Sequence, residues 1–420
     1  MHIEWAMMLG CVVLGLLFIF PPAVQDAVLS GSFFPVTTSL GNFLNEIFIG
    51  ATAADTLLLI GMVYSITVLG SFMEFSGHIK KLMESLSELM KDGRFVIATA
   101  PSLIGLMPMP GGALFSCPMV NDVGSKMNIE PTRMAAINFW FRHVWEYVWP
   151  LYPGLILMSA IFSVDIPRIM LAQAPLAIGT ILTGLIFLIF PIKKPENNGS
   201  VHTISENIRE IFLALWPLII IIFFTMVPYP NHESLGIEKD TLTRSKLLLG
   251  LILSTIFYGT FNRINWNSTF GVLIICLKKH TVMVALSIML FKHLVQITGA
   301  ADEMAPFFAH LGLPPVVVIF LLCFIVGLLT GLTVGYVGIC FPIIAPFIQV
   351  NGSTDPGLMQ FAFATGFIGV MLTPVHLCFS LTREYFDVEW GDVYKLILPC
   401  AILILLLSFI IALTGLPNWV

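Results

Sequence analysis

Charge is scarce in this chain. Asp, Glu, Lys and Arg make up 11% of its 420 residues, where soluble domains carry roughly a quarter. With 57% hydrophobic residues and a mean hydropathy of +0.93, that scarcity excludes an ordinary soluble domain. It points to a polytopic protein whose solvent is the lipid bilayer. A net charge of -5 is too slight to suggest a nucleic-acid partner. The seven cysteines (Cys11, Cys117, Cys276, Cys323, Cys340, Cys378, Cys400) lie scattered in apolar runs without Cys-x-x-Cys or Cys/His spacing. They are therefore read as packing residues, with no disulfide framework and no metal site expected. A His-Glu-x-x-His helix and a Gly-x-Ser-x-Gly elbow are both missing, which argues against a membrane-embedded hydrolase and for a protein that is not an enzyme and needs no cofactor. The first apolar run follows only Met1-His2-Ile3-Glu4 and lacks a basic flank or a small-residue cleavage site, so it is expected to be a retained span.

What the chain does have is long apolar runs. Given about 20 residues per crossing, spans are expected near 5–22, 56–75, 131–162, 168–191, 208–228, 246–261, 281–299, 357–382 and 395–415. Two further apolar stretches, about 95–124 and about 314–349, are interrupted by glycine and proline. The first contains Gly105-Leu106-Met107-Pro108-Met109-Pro110-Gly111-Gly112, and the second Gly331-Leu332-Thr333-Val334-Gly335-Tyr336-Val337-Gly338. Open backbone of this kind survives in lipid only when buried in protein or lining a cavity. Both are therefore read as re-entrant hairpins that enter and leave on one side. With that bookkeeping fourteen Lys/Arg fall on one side, and only Arg168, Lys239, Arg244 and Lys246 on the other. Lys/Arg excess marks the cytoplasm, so a multi-pass protein of the cell (cytoplasmic or inner) membrane is expected, with both termini outside.

The two halves share an order of elements: span, lateral segment, span, amphipathic segment, hairpin, proline-broken span, span. A shift of 222 to 224 residues lays Gly77 on Gly299, Gly105 on Gly327, Pro118 on Pro342, Pro150 on Pro374 and Pro175 on Pro399. One extra crossing between the halves turns the second copy upside down. The fold expected is thus all-α, with two inverted repeats, re-entrant hairpins and proline-broken helices, as in many secondary transporters. Residues 1–192 form the first repeat, 193–245 a linker containing the span 208–228, and 246–420 the second repeat.

The run Met107-Pro108-Met109-Pro110-Gly111-Gly112-Ala113-Leu114-Phe115-Ser116 and the later Phe141-Arg142-His143-Val144-Trp145-Glu146-Tyr147-Val148-Trp149-Pro150-Leu151-Tyr152-Pro153-Gly154 resemble a family catalogued as domain of unknown function 401. Thr373-Pro374-Val375-His376-Leu377-Cys378 fits as well, and the resemblance covers nearly the whole chain. It implies membership of the ion transporter superfamily. Relatives there include carboxylate, citrate, C4-dicarboxylate, gluconate and arsenite carriers, typically homodimers with a scaffold and a moving transport domain. The Ser-Asn-Thr tips of the sodium-coupled dicarboxylate carriers are replaced here by Pro108-Met109-Pro110-Gly111-Gly112 and Thr333-Val334-Gly335-Tyr336.

At a hairpin tip the second helix begins with free N–H groups and a partial positive charge, which suits an oxyanion. Pro110, Gly111, Gly112 and Ala113 at one tip, and Thr333, Gly335, Tyr336 and Gly338 at the other, are the candidate anion cradles. The bland alternative is close helix packing through small residues. In the third span, Asn138 is a possible polar ligand. Arg142 and Glu146 stand at i, i+4 on one helical face, either as an internal ion pair or as an anion-attracting cation and a proton carrier. Trp145, Trp149 and Tyr152 are read as an interfacial aromatic belt. Thr373 and His376 flank the second broken helix, and His376 is a further proton-coupling candidate. Lys292 is either a site residue or a snorkelling lysine, and His293 is structural. No Asp/Asn cluster announces a sodium cage, so coupling to H+ or to Na+ is open. The function expected is an ion-coupled secondary active transporter of a small anion, a carboxylate, by elevator-type alternating access. An anion channel is the alternative.

Overall fold

A computed structural model describes residues 3–15, 34–78, 81–82, 85, 92–107, 112–193, 204–227, 239–264, 266–277, 280–350 and 353–415. Of the sequence expectations, the tip Pro108 to Gly111, residues 16–22 of the first span, and residues 194–203 and 228–238 of the linker lie outside the described residues.

The described chain is helical apart from one two-residue pairing. In order, the helices are α1 (Ile3–Leu14), α2 (Phe34–Thr52), α3 (Ala54–Phe75), α4 (Gly93–Gly105), α5 (Ala113–Lys126), α6 (Pro131–Arg142), α7 (Pro153–Phe162) and α8 (Ile166–Gly184), which runs on through a π-turn at Leu185–Ile189. Then come α9 (Ile204–Met226), α10 (Lys239–Phe261), α11 (Trp266–Leu277), α12 (His280–Ile297), α13 (Ala300–His310), α14 (Pro315–Thr330), α15 (Thr333–Ile348), α16 (Pro356–Met371), α17 (Leu377–Phe386) and α18 (Trp390–Thr414). Between α15 and α16 the strands β1 (Gln349–Val350) and β2 (Ser353–Thr354) pair antiparallel.

Local chemistry explains the breaks. Pro131, Pro153, Pro315 and Pro356 each open a helix where an N–H would have no intrahelical partner. Asp92 and Asp355 cap α4 and α16 by accepting from Arg94 N at 3.0 Å and Leu358 N at 2.9 Å. Gly331 ends α14 in the left-handed region at φ 63°, a conformation that costs a side chain energy.

Among the described residues four helices are long and apolar enough to cross a membrane, Ala54–Glu74, Ile166–Ile189, Asn207–Met226 and Trp390–Thr414, and Val282–Ile297 with Ala300–Phe308 does so as a pair bent by 70°. Their exposed faces are apolar at helical spacing, as at Leu171, Ile178, Leu182 and Ile186 on α8 and Ile402, Leu406, Ile410 and Leu413 on α18. Bands of that extent need lipid rather than water against them.

The two interrupted stretches are hairpins. At 1.5 Å per residue, α4 and α5 reach only about 20 Å and α14 and α15 about 24 Å, short of a ~30 Å hydrocarbon core. Within each pair the two helices pack on one another. The open ends of the first hairpin meet, since a side chain on Gly93 would lie 2.6 Å from Met127 Sδ. In the second, Cys340 Sγ donates to Leu322 O across the pair at 3.5 Å. The span expected at 131–162 is two half-helices, α6 and α7, joined by turns over 143–152; that expected at 357–382 is α16 and α17, joined over 372–376.

The glycines and prolines aligned between the halves occupy matching places. Gly77 and Gly299 follow α3 and α12 with φ of 71° and 65°. Pro118 and Pro342 lie inside the second helix of each hairpin, and Pro175 and Pro399 inside α8 and α18. A Cβ on Gly105 would meet the Arg142 carbonyl oxygen at 2.3 Å, and one on Gly327 would meet that of Gly366 at 2.1 Å.

Packing sorts the helices into two sets. The hairpins, the broken helices, α8 and α18 pack chiefly on each other; α3 packs on both α10 and α12, and these three carry α1, α2, α9 and α11 at their margins. The sets meet where α12 touches α15, where α3 and α10 touch α7 and where α9 and α10 touch α8, and α13 packs on both α12 and α15. Gly338 lies at this seam, its missing side chain leaving room for Ile288, which a Cβ would approach to 2.6 Å.

Candidate functional site

The breaks of both broken helices and the tip of the second hairpin come together. His143 follows the last residue of α6, and His376 is the N-cap of α17. Their Nε2 atoms are 3.0 Å apart. His143 Nδ1 donates to Phe139 O at 2.6 Å, and His376 Nδ1 to Gly331 O at 2.9 Å. Glu146, in the turns after α6, places Oε1 3.9 Å from His143 Nε2, while its Oε2 accepts from Thr333 Oγ1 at 2.8 Å. Cys378 stands in the first turn of α17, and its sulfur and the two imidazoles offer ligand atoms within 4.8 Å of one another. His143, Glu146, His376 and Cys378 are all buried.

Four helix starts face this region. The N-caps Gly112 of α5, Tyr152 of α7, Leu332 of α15 and His376 of α17 make no side-chain cap bond. A Cβ on Gly154 in the first turn of α7 would meet Thr333 Cγ2 at 2.7 Å, and one on Gly331 would meet His376 N at 3.2 Å. The starts of α7 and α17 therefore both abut the second hairpin's tip. Asn138 ties the start of α5 to α17 through bonds to Ala113 O and Thr382 Oγ1. Clustered N-termini add their partial positive charges in one place.

The expected site residues do not all present free groups there. Asn138 is fully buried; its Oδ1 accepts from Ser116 Oγ at 2.6 Å, and its Nδ2 is shared among Ala113 O, Cys117 Sγ and Thr382 Oγ1 at 3.1 to 3.2 Å. Its amide is committed to holding three helices together. Tyr336 turns its hydroxyl to Phe363 O at 2.9 Å and its ring onto Gly366. Gly338 faces Ile288 rather than the tip. Gly112 and Ala113 are buried at the start of α5, while Pro110 and Gly111 lie outside the described residues. Thr333 and Gly335 occupy the first turn of α15. Thr373 is buried in the second break, where its Oγ1 accepts from Val375 N.

The shared helical face expected for Arg142 and Glu146 is corrected: α6 ends at Arg142, and the chain unwinds before Glu146. Buried Arg142 instead reaches the first hairpin, donating from Nη2 to Met107 O at 3.3 Å. The belt reading of Tyr152 is also corrected, because Tyr152 is buried and donates to Gly105 O at 2.6 Å. Trp145 and Trp149, in the same unwound stretch, are half-buried.

Lys292 and His293 lie on α12. Lys292 Nζ donates to Ala160 O at 2.6 Å, at the C-terminal end of α7 where carbonyls favour a cation. His293 Nε2 meets Glu46 Oε2 on α2 at 2.9 Å. A cavity of about 330 Å³ bordered by Lys292, Asp302, Pro342 and Gln349 opens beside the base of the second hairpin, away from its tip.

His143, to which the sequence assigns no role, and Cys378, expected only as a packing residue, are both brought into the site. His143 stands 233 positions from His376, so no local spacing links them. The one visible signal was that His143 and the pair His376, Cys378 each border a proline-marked break.

Residues 36–414 match a family model described as protein of unknown function, DUF401. No curated protein matches the sequence. Among solved structures the chain is similar to the YdaH transporter of Alcanivorax borkumensis, which is described as having an unusual topology. The two are 15% identical, superpose with a TM-score of 0.69 and cover 99% of each other's chains. At that identity the likeness is one of fold.

Proposed function

The chain belongs to the DUF401 family of proteins of unknown function, and we propose that it is an ion-coupled secondary active transporter of a small anion, a carboxylate, working by elevator-type alternating access. The observation that carries this reading is the convergence of helix starts that no side chain caps, at α5, α7, α15 and α17, around the two breaks and the second hairpin's tip. Amides left without intrahelical partners in a low-dielectric interior favour a negatively charged guest. In this reading Gly112, Ala113 and Thr333 offer backbone N–H groups, Gly335, whose own N–H bonds Leu332 O, keeps the second tip clear of a side chain, and Arg142, reaching the first hairpin beside them, adds a formal positive charge.

The alternating-access part rests on the two packing sets. One bundles the hairpins and broken helices; the other is a separate group of apolar helices, and their seam includes small Gly338 against Ile288. A bundle that slides along such a seam would carry the tips from one side of the membrane to the other. The matching places of Gly77 and Gly299, and of Gly105 and Gly327, favour two repeats of one unit. The repeats are inverted in this reading, with both termini outside. The fold shared with a protein described as a transporter agrees with it.

A thermal-shift screen of the purified chain tests the anion site, because a ligand bound only by the folded form raises its stability. A small carboxylate is expected to raise the melting temperature saturably while its uncharged amide does not. Equal shifts from acid and amide, or none across carboxylates and inorganic oxyanions, would remove the anion reading.

A further inference from the structure

We propose that His143, His376 and Cys378 form a binding site for a divalent transition metal ion of zinc-like softness, staple-like across the breaks of the two broken helices. The inference goes beyond the transport reading and does not depend on which anion is carried.

Tautomers carry the argument. A backbone carbonyl only accepts hydrogen bonds, so the contacts of His143 Nδ1 with Phe139 O and of His376 Nδ1 with Gly331 O place a proton on each Nδ1. In neutral rings each Nε2 then carries a lone pair, and these two nitrogens point at one another across 3.0 Å. Two lone pairs at that distance repel unless a proton or a metal ion sits between them, and the donors around the pair favour the metal. The Nδ1–H to carbonyl bond is also the usual second contact of a metal-ligating histidine, fixing the ring and its donor atom.

The third donor selects the kind of ion. Cys378 Sγ lies within 4.8 Å of both imidazole ligand atoms, and thiolate with imidazole favours zinc-like ions over magnesium or calcium, which take oxygen. Glu146 Oε1, 3.9 Å from His143 Nε2, lies close enough to become a fourth ligand or to remain as a counter-charge. A divalent ion, one thiolate, one carboxylate and two neutral imidazoles sum to zero charge. That neutrality matters in a buried site, where an uncompensated charge is costly.

Cobalt(II) is the probe. The purified full-length chain, freed of any affinity tag and stripped with chelator, is expected to bind one Co2+ per chain with a thiolate-to-cobalt charge-transfer band in the near ultraviolet, which Zn2+ displaces. Cys378→Ser is expected to lose that band and weaken binding by roughly tenfold or more. A wild-type chain that melts cooperatively yet binds no Co2+ or Zn2+ stoichiometrically overturns the site, and so does a band that persists in Cys378→Ser. If that variant fails to fold, X-ray absorption of the zinc-loaded wild type decides. One sulfur near ~2.3 Å with two imidazole nitrogens near ~2.0–2.1 Å supports the site, and a shell without sulfur overturns it.

Discussion

Tyr152 and His376 hold equivalent posts 224 residues apart. Each is the N-cap of the second half of a broken helix. Each also bonds a backbone carbonyl at the end of the first helix of the hairpin in its own half, Tyr152 to Gly105 at 2.6 Å and His376 to Gly331 at 2.9 Å. A hairpin and the broken helix beside it are thereby locked as one unit in both halves. Tyr152→Phe removes the first lock and leaves the Gly105 carbonyl buried without its donor, at a cost of about 1–3 kcal/mol. A lowered melting temperature in detergent is expected; an unchanged one would mean the bond does not hold the unit together.

The close approaches behind these locks are open to a controlled test. Gly105→Ala and Gly327→Ala drive a methyl group to 2.3 Å and 2.1 Å from the carbonyl oxygens of Arg142 and Gly366, so the backbone has to move. Overpacking of this kind costs about 1–3 kcal/mol. Gly70→Ala in α3 meets nothing within 4 Å and removes a helix-interior glycine, so it is expected to be neutral or to stabilise by up to ~1 kcal/mol. Equal melting temperatures for all three variants would contradict the packing described.

Asn138→Leu separates a structural role from a ligand role. The substitution keeps similar bulk but removes the amide donor from Thr382 Oγ1 and the 2.6 Å acceptor from Ser116 Oγ, which keeps only its 3.2 Å bond to Ala113 O. Buried polar groups left unpaired cost about 1–3 kcal/mol each. Loss of stability and of folded yield is therefore expected. A stable variant whose only defect is a raised KM for uptake would return Asn138 to the substrate site.

Much of this architecture was legible in the sequence, for a physical reason. Glycine and proline break helices wherever they stand, so Gly331, Pro150, Pro153 and Pro374 announce the hairpin and the breaks without help from neighbours. Side-chain commitments were not legible. Whether Asn138 faces a guest or Thr382, whether Tyr336 faces a tip or Phe363, and whether Tyr152 faces lipid or Gly105 all depend on partners 27 to 244 residues away. The i, i+4 relation of Arg142 to Glu146 misled because it presumes a helix that stops at Arg142. The joining of His143 to His376 and Cys378 is likewise a product of tertiary folding, invisible to any local spacing.

Thr333 links the second hairpin to the first broken helix through Glu146, at 2.8 Å. Thr333→Val keeps the shape but not the hydroxyl, leaving the buried carboxylate one donor short. Thr333→Ser keeps the bond. Uptake is expected to fall steeply in the valine variant and to stay near wild type in the serine variant. Equal loss in both would assign the effect to the methyl group packed against Gly154 instead.

Gly335 lies in the first turn of α15, and its N–H bonds to Leu332 O at 3.0 Å. In Gly335→Val a branched side chain enters the proposed cradle. The variant is expected to insert and melt like wild type yet show no carboxylate-induced shift in melting temperature. A normal shift would take the second tip out of the binding site.

Flux in proteoliposomes bears most directly on the central claim, that paired hairpins and broken helices hold an anion and carry it across. With a radiolabelled carboxylate chosen by thermal shift, the wild-type chain is expected to accumulate it saturably against its gradient when an H+ or Na+ gradient is imposed, and Gly335→Val is expected to abolish that accumulation. Large unitary currents without accumulation, or equal accumulation by the variant, would contradict it.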